Sequence, residues 1–221
     1  MSKNFVEPSK YRIFAHMNTD YCFPRRIFEW IRRFRNRCGY NIHSPFAFNW
    51  VTGVVYCDEA YYAYESLAAE REEMDGLLSE KDDCLLFRLA NHQEANHILY
   101  VGQHSARPEA YLRAARKGAS FNVTNKLPSL ADALHKQDMV VIEAPFEERL
   151  SPNDPIFSLE SRPRESGIVV CHGIHRNRAA RERWKALCHS QAVTVTFDLY
   201  RFGIAFLRPK LNRQHYRINY F

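Results

Sequence analysis

The chain has 221 residues, of which 46% are hydrophobic and 25% charged, and its formal net charge is +6. That length and apolar share suit a single α/β unit with a real core, and no apolar run approaches the ~18–20 residues that cross a bilayer. The charge excess is too small to define a polyanion-binding protein by itself. The six cysteines form no Cys-x-x-Cys pair, which argues against a zinc finger or a thioredoxin-like redox site.

Residues 1–23 carry scattered aromatics (Phe5, Tyr11, Phe14, Tyr21) without a clear period, and read as an extended arm over the domain. Met1 to Lys10 is polar and lacks the apolar core of a signal peptide, so a cytoplasmic location is expected. From Pro24 the positions Ile27, Trp30, Ile31 and Phe34 follow at helical spacing among six arginines, and Cys38-Gly39 ends the helix. Its apolar stripe is expected to cover the domain, with the arginines facing solvent or the acidic stretch Glu65–Asp75. Ser44-Pro45 opens a second helix as N-cap and N1. A third is predicted over Tyr62–Leu78 and a fourth over Asp82–Ala90, capped by the aspartate. Tyr61, Tyr62 and Tyr64 either pack on the core or line a pocket.

Strands then alternate with helices. Strands are predicted at Ile98–Val101, Ser120–Val123, Asp138–Glu143 and Gly167–Cys171, and helices at Pro108–Arg116, Ser129–His135 and Asn177–His189. Residues 144–166 hold four prolines and read as a long irregular connection with one helical turn. Continuous apolar strands separated by helices imply a parallel sheet covered on both faces. Val193–Leu199 and Phe202–Arg208 are joined too closely to run parallel, so they form an antiparallel hairpin at the end of the sheet. A last short strand is placed at Tyr216–Tyr220. The expected division is an N-terminal arm and helical region over 1–90, packed on an α/β domain over 91–221 as one compact unit.

Three further runs carry a resemblance: His43-Ser44-Pro45-Phe46-Ala47-Phe48, Leu85-Leu86-Phe87-Arg88-Leu89, and Thr194-Val195-Thr196-Phe197-Asp198-Leu199 leading to Gly203-Ile204. With these, residues 25–220 resemble the class I S-adenosylmethionine-dependent methyltransferases, specifically a bacterial branch with a His-Ser-Pro-Phe helical region. The resemblance implies a Rossmann-like fold with one antiparallel strand inserted near the end of the sheet. It places a cofactor loop at Gly102, Gln103, His104 and Ser105, a ribose contact at Asn125, and acceptor-handling groups at His175, Glu143 and His172.

The chain departs from that pattern at four places. Gln103, His104 and Ala106 stand where the loop should be rich in glycine, which lets a ligand approach the backbone. The second strand ends in Thr124-Asn125 rather than in the carboxylate that suits two adjacent ribose hydroxyls. Only 14 residues separate Thr124 from Met139, so the third strand and one helix of the family are expected to be missing, which leaves Phe121–Val123 at an edge. Finally, Cys171-His172-Gly173-Ile174-His175 keeps an Ile-His but lacks paired acids.

The preferred expectation is therefore a degenerate, non-catalytic or poorly catalytic methyltransferase-like protein that retains a cleft for a small molecule or a protein partner, with S-adenosylmethionine as its cofactor only if it is active and no metal site assigned. The alternative is an active methyltransferase that uses S-adenosylmethionine on an unknown small acceptor. A third hypothesis is an anion-surface module, in which the Arg25–Arg37 helix meets nucleic acid or an acidic membrane surface. His104, His172 and His175 either converge at the sheet edge, where with Glu143 they would offer a metal site, or remain separate loop histidines. The exposed edge strand suggests a homodimer or coverage by residues 1–23.

Overall fold

The computed structural model describes residues 23–127, 129–157 and 167–221. The expected arm over 1–23 lies almost wholly outside the described residues. Helices are α1 (Phe23–Arg32), α2 (Pro45–Trp50), α3 (Ala63–Glu70), α4 (Glu80–Gln93), α5 (Ala106–Ala115), α6 (Leu130–Lys136), α7 (Phe146–Arg149) and α8 (Arg178–His189). Strands are β1 (His97–Val101), β2 (Ser120–Thr124), β3 (Met139–Ile142), β4 (Ile168–His172), β5 (Val195–Asp198), β6 (Phe202–Phe206) and β7 (Gln214–Arg217).

The sheet order is β2-β1-β3-β4-β6-β5-β7. Pairing is parallel except for β6, which runs antiparallel to both β4 and β5. This is the Rossmann-like, methyltransferase-type arrangement with its inserted antiparallel strand. The strand that would follow β2 in that arrangement is absent among the described residues, so β2 forms one edge, with Val123 45% exposed.

Period-two alternation sends each strand into two cores. In β3, Met139 and Val141 face one core while Val140 and Ile142 face the other. In β4, Ile168 and Val170 oppose Val169 and Cys171 in the same way. The first core takes α2, the single π-turn that continues it (Val51–Val55) and α4. Trp50 stacks on Phe197 with ring centroids 4.1 Å apart, and Phe46 meets Phe206 edge-on at 5.5 Å. The second core lies under α6, α7 and α8.

The His-Ser-Pro-Phe and Leu-Leu-Phe-Arg-Leu runs are scaffold. Ser44 caps α2 by accepting from the Ala47 N–H, as its sequence position predicts. Arg88 is buried on α4, where its Nε donates to the Val54 carbonyl at 2.7 Å and its guanidinium reaches the Tyr220 hydroxyl at 3.3 Å. Gly203 is required by contact, since a Cβ there would come 2.7 Å from the Trp184 ring.

Three local expectations are corrected. The third helix stops at Glu70 and one 3-10 turn follows, because Arg71 turns inward to the Asp83 carboxylate and the Leu78 carbonyl. The cap of α4 is Ser79, and Asp82 is the third residue of its capping box. The largest correction concerns α1. Its apolar stripe does not cover the domain: Phe28 is 64% exposed and Ile31 61%, and Ile27, Trp30 and the following Phe34 are exposed as well. The side chain that anchors this segment is Arg33, which is fully buried.

Candidate functional site at the C-terminal strand edge

The C-terminal ends of β1, β2 and β3 converge on a cavity of about 510 Å³ lined by Gln103, Asn125, Leu127, Pro145 and Arg149 among others. Gly102 follows β1 directly. A Cβ on it would lie 2.3 Å from Glu143 Oε2 and 2.7 Å from Tyr100 Cε1, so this glycine makes room for the chain's own side chains. Glu143, the residue after β3, is only 1% exposed. Its Oε2 accepts the Gln103 N–H at 2.7 Å and a guanidinium N–H of Arg149 at 3.3 Å.

Arg149 donates with its other terminal nitrogen to the Asn125 carbonyl at 3.0 Å, and so bridges the ends of β2 and β3. The Thr124 hydroxyl is used locally, donating to the Lys126 carbonyl at 2.8 Å. Burial, reinforced by the Glu143 charge, pushes the Tyr100 hydroxyl far above the usual phenol range, and it stays protonated. Of the predicted cofactor-contacting residues, Gln103 and Asn125 line this cavity. Gly102 backs onto Glu143, Ser105 begins α5 as its N-cap without a side-chain bond, and His104 turns to Asp75, with Nδ1 2.8 Å from Oδ2.

The three histidines do not converge. Each has its own surroundings, so of the two readings open to the sequence the separate histidines hold, among the described residues. His172 ends β4, tilted against Phe202 at 5.0 Å, and its Nδ1 has no hydrogen-bond partner. Burial pushes this imidazole down to about 4, so it is neutral at pH 7. His175 lies over the Tyr200 ring at 5.5 Å and places Nε2 2.8 Å from Asp198 Oδ2. Arg33 Nη2 lies 3.3 Å from the same ring nitrogen and donates to Oδ2 at 3.2 Å, so the three side chains form one cluster.

Asp198 ends β5. Its Oδ1 accepts the Tyr200 N–H at 2.9 Å and also a guanidinium N–H of Arg33 at 2.9 Å. Arg33 donates as well to the main-chain carbonyls of Asp198 and Ile218, at 3.0 and 3.3 Å. Burial acts to raise the Asp198 carboxyl, but the His175 hydrogen bond and the Arg33 charge outweigh it and hold the group well below the ordinary carboxylate range.

His175 and Asp198 border a second cavity, of about 390 Å³, between α8 and the β5/β7 edge. The two cavities have no lining residue in common. Tyr61 and Tyr64 pack on Phe87, at 4.9 and 5.1 Å, while Tyr62 points to solvent. Among the described residues no three His, Cys, Asp or Glu side chains are placed to hold a metal ion. No helix among them is long and apolar enough to cross a membrane.

Arg33 and Arg149 are the site residues that sequence reasoning missed. Each is one arginine among many; Arg33 finds Asp198 165 positions away, and Arg149 joins the nearby Glu143 to Asn125, 24 positions back. Asp198 offered the one usable signal, an acid at the carboxyl end of a strand, where ligands of open α/β sheets bind.

No protein-family model matches the chain, and no curated protein does. Among solved structures it is similar to a methyltransferase from Geobacter sulfurreducens (12% identity, 74% of this chain and 97% of that one, TM-score 0.44). It is also similar to a Podospora anserina methyltransferase bound to S-adenosylhomocysteine (12%, 75% and 96%, 0.44). A third is an O-methyltransferase from Bacillus cereus in complex with S-adenosylhomocysteine (14%, 71% and 94%, 0.41).

Proposed function

We propose that this chain is a non-catalytic methyltransferase-like protein, one whose cofactor cleft has been remodelled from within and now receives a small polar ligand or a protein partner. The observation that carries this reading is the Glu143–Arg149 pair. The Gln103 N–H, at the head of the former ligand loop, already donates to Glu143, and Arg149 crosses from Glu143 to the Asn125 carbonyl. One Glu143 oxygen, the Gln103 N–H and both terminal nitrogens of Arg149 are thus engaged inside the protein, while Glu143 Oε1 and Arg149 Nε are buried without a hydrogen-bond partner. Displacing them would leave a buried carboxylate without its partners, at a cost of several kcal/mol.

The residues present do not fit S-adenosylmethionine. No carboxylate ends β2 to take the ribose hydroxyls, and the strand that would help enclose the adenine is absent among the described residues. The separation of the two cavities supports the same reading. His175, the best-oriented acceptor-handling group, borders one cavity, and Gln103 and Asn125 border the other. General-base chemistry needs the base within ~3 Å of the atom it serves.

The test is calorimetric titration of the purified protein with S-adenosylmethionine and S-adenosylhomocysteine up to ~1 mM, paired with thermal shift. The expected result is no heat and no shift. A micromolar dissociation constant for either ligand would overturn the proposal and restore the alternative, an active methyltransferase.

A further inference from the structure

The helix α1 is built inside out. At the helical repeat of about 100° per residue, Ile27, Phe28, Trp30 and Ile31 share one face, and Glu29 and Arg33 lie on the other. The polar face is the one turned to the protein. Arg33 is buried on Asp198 and Ile218, and Glu29 pairs with Arg32 at 2.9 Å and with Arg33 at 3.4 Å. The apolar face is turned outward, and Trp30 continues into Phe34 through an edge-on ring contact at 5.3 Å. Exposed arginines border that face, with Arg25 and Arg32 on one side and Arg26 on the other, and Arg35 and Arg37 follow beyond the helix. Glu29 is the single acid between Phe23 and Tyr40.

We propose that α1 docks the protein on an anionic lipid surface. The composition of the outward face decides between the candidate occupants. An amphipathic helix in a membrane interface buries aliphatic and aromatic side chains at the boundary between headgroups and acyl chains, while flanking cations meet lipid phosphates. Arginine suits that task through bidentate contacts to phosphate oxygens. A nucleic acid would use the arginines and stack on Trp30, but it has no use for Ile27 and Ile31. A second copy of this chain would bring the same five exposed arginines against these five, which disfavours a face-to-face pair. The buried Arg33 clasp gives the helix a fixed attitude, with the apolar face outward before any membrane is met.

The full-length protein carries its own reporter. Trp50 and Trp184 are buried, whereas Trp30 is 43% exposed, so a change in tryptophan emission on binding reports on α1. Partition should be measured by flotation and by emission, with vesicles of phosphatidylcholine alone and with about one third phosphatidylserine. The expected result is flotation with the acidic vesicles only, a blue shift of the emission, and loss of both at ~0.5 M salt. The double variant Phe28→Asp/Ile31→Asp should lose at least about tenfold in partition with an unchanged melting temperature, because both side chains are exposed. Arg26→Glu/Arg32→Glu should lose a similar factor. The proposal is overturned if the protein fails to float with acidic vesicles. It is equally overturned if the Asp variant floats like the parent. Two further results would overturn it: a concentration-dependent dimer that the Asp variant dissolves without any vesicle binding, or tighter binding of a single-stranded oligonucleotide that the Asp variant leaves intact.

Discussion

Arg33 and Asp198 stand 165 positions apart in the chain and close a side-chain ion pair at 2.9 Å. The pair joins the residue that follows α1 to the end of β5, and His175 shares the Oδ2 oxygen with Arg33, at 2.8 and 3.2 Å. Two cationic or hydrogen-bonding groups on one acid leave Asp198 fully used, and that use is structural.

Removing one partner of such a pair strands the other. Arg33→Met should therefore lower the unfolding free energy by about 3–5 kcal/mol in urea titrations. Asp198 has a depressed folded-state pKa, so the stability it confers is present above its unfolded value of about 3.9 and is lost as pH falls below it. The penalty of Arg33→Met should accordingly be large at pH 7 and shrink on acidification below about pH 4.

Two buried groups should give opposing pH slopes. His172 is pushed down to about 4 by burial, against neighbouring Asp82, which favours the charge, and with Arg201 and Arg176, which oppose it. Between its unfolded value of about 6.5 and its folded value, the unfolded chain binds the proton, so stability falls as pH drops.

Asp83 behaves in the reverse sense. Burial raises it to about 6 in spite of the Arg71 contact. The folded chain binds the proton first, and stability falls as pH rises from about 4 to 6. Chemical denaturation across pH 4–6.5 should show His172→Phe tilting the profile toward lower pH and Asp83→Asn tilting it toward higher pH. Equal profiles for the two variants would contradict both assignments.

At the cleft, Arg149→Met leaves the buried Glu143 carboxylate without its cation and should cost about 1–3 kcal/mol. Adding Glu143→Gln removes the stranded charge while keeping an acceptor for the Gln103 N–H, and should recover part of the loss. A double-mutant cycle on thermal unfolding reads the coupling directly. Additive effects would show that the two side chains do not act as a unit.

Glycine contacts offer a further check. Gly203→Ala drives a methyl group into the Trp184 ring and should destabilise by about 1–3 kcal/mol. Gly118→Ala meets nothing within 4 Å and should change stability by less than about 1 kcal/mol in the same assay.

Much of the sheet was readable before the structure. The short 193–208 hairpin dictated an antiparallel β6, and the 14 residues between Thr124 and Met139 left no room for another strand. Both inferences rest on chain length, which sequence states directly. The orientation of α1 was not readable. Periodicity tells which face of a helix is apolar, and the usual assumption then turns that face inward. Here one arginine of six found a carboxylate and two carbonyls at a distant strand end, and that long-range match reversed the helix. The cleft was half readable. Missing glycines and the missing acid could be counted, whereas the bridge from Glu143 through Arg149 to Asn125 joins residues whose proximity only the fold creates.

Three arginines tie the first ninety residues to the last twenty-five: Arg33 to Asp198, Arg88 to the Tyr220 hydroxyl, and Arg201 to Ser79 and Asp82 at the start of α4. The cap of α4 is thus completed by a turn formed more than a hundred residues later, and Trp50 supplies half of a ring stack whose other half is Phe197. Neither end of the chain has a finished surface without the other. A fragment beginning at residue 91 would expose the Phe197 and Phe206 face to water and deprive Asp198 of its guanidinium. In a scanning calorimeter the described structure should therefore melt as one unit, with van't Hoff and calorimetric enthalpies in agreement.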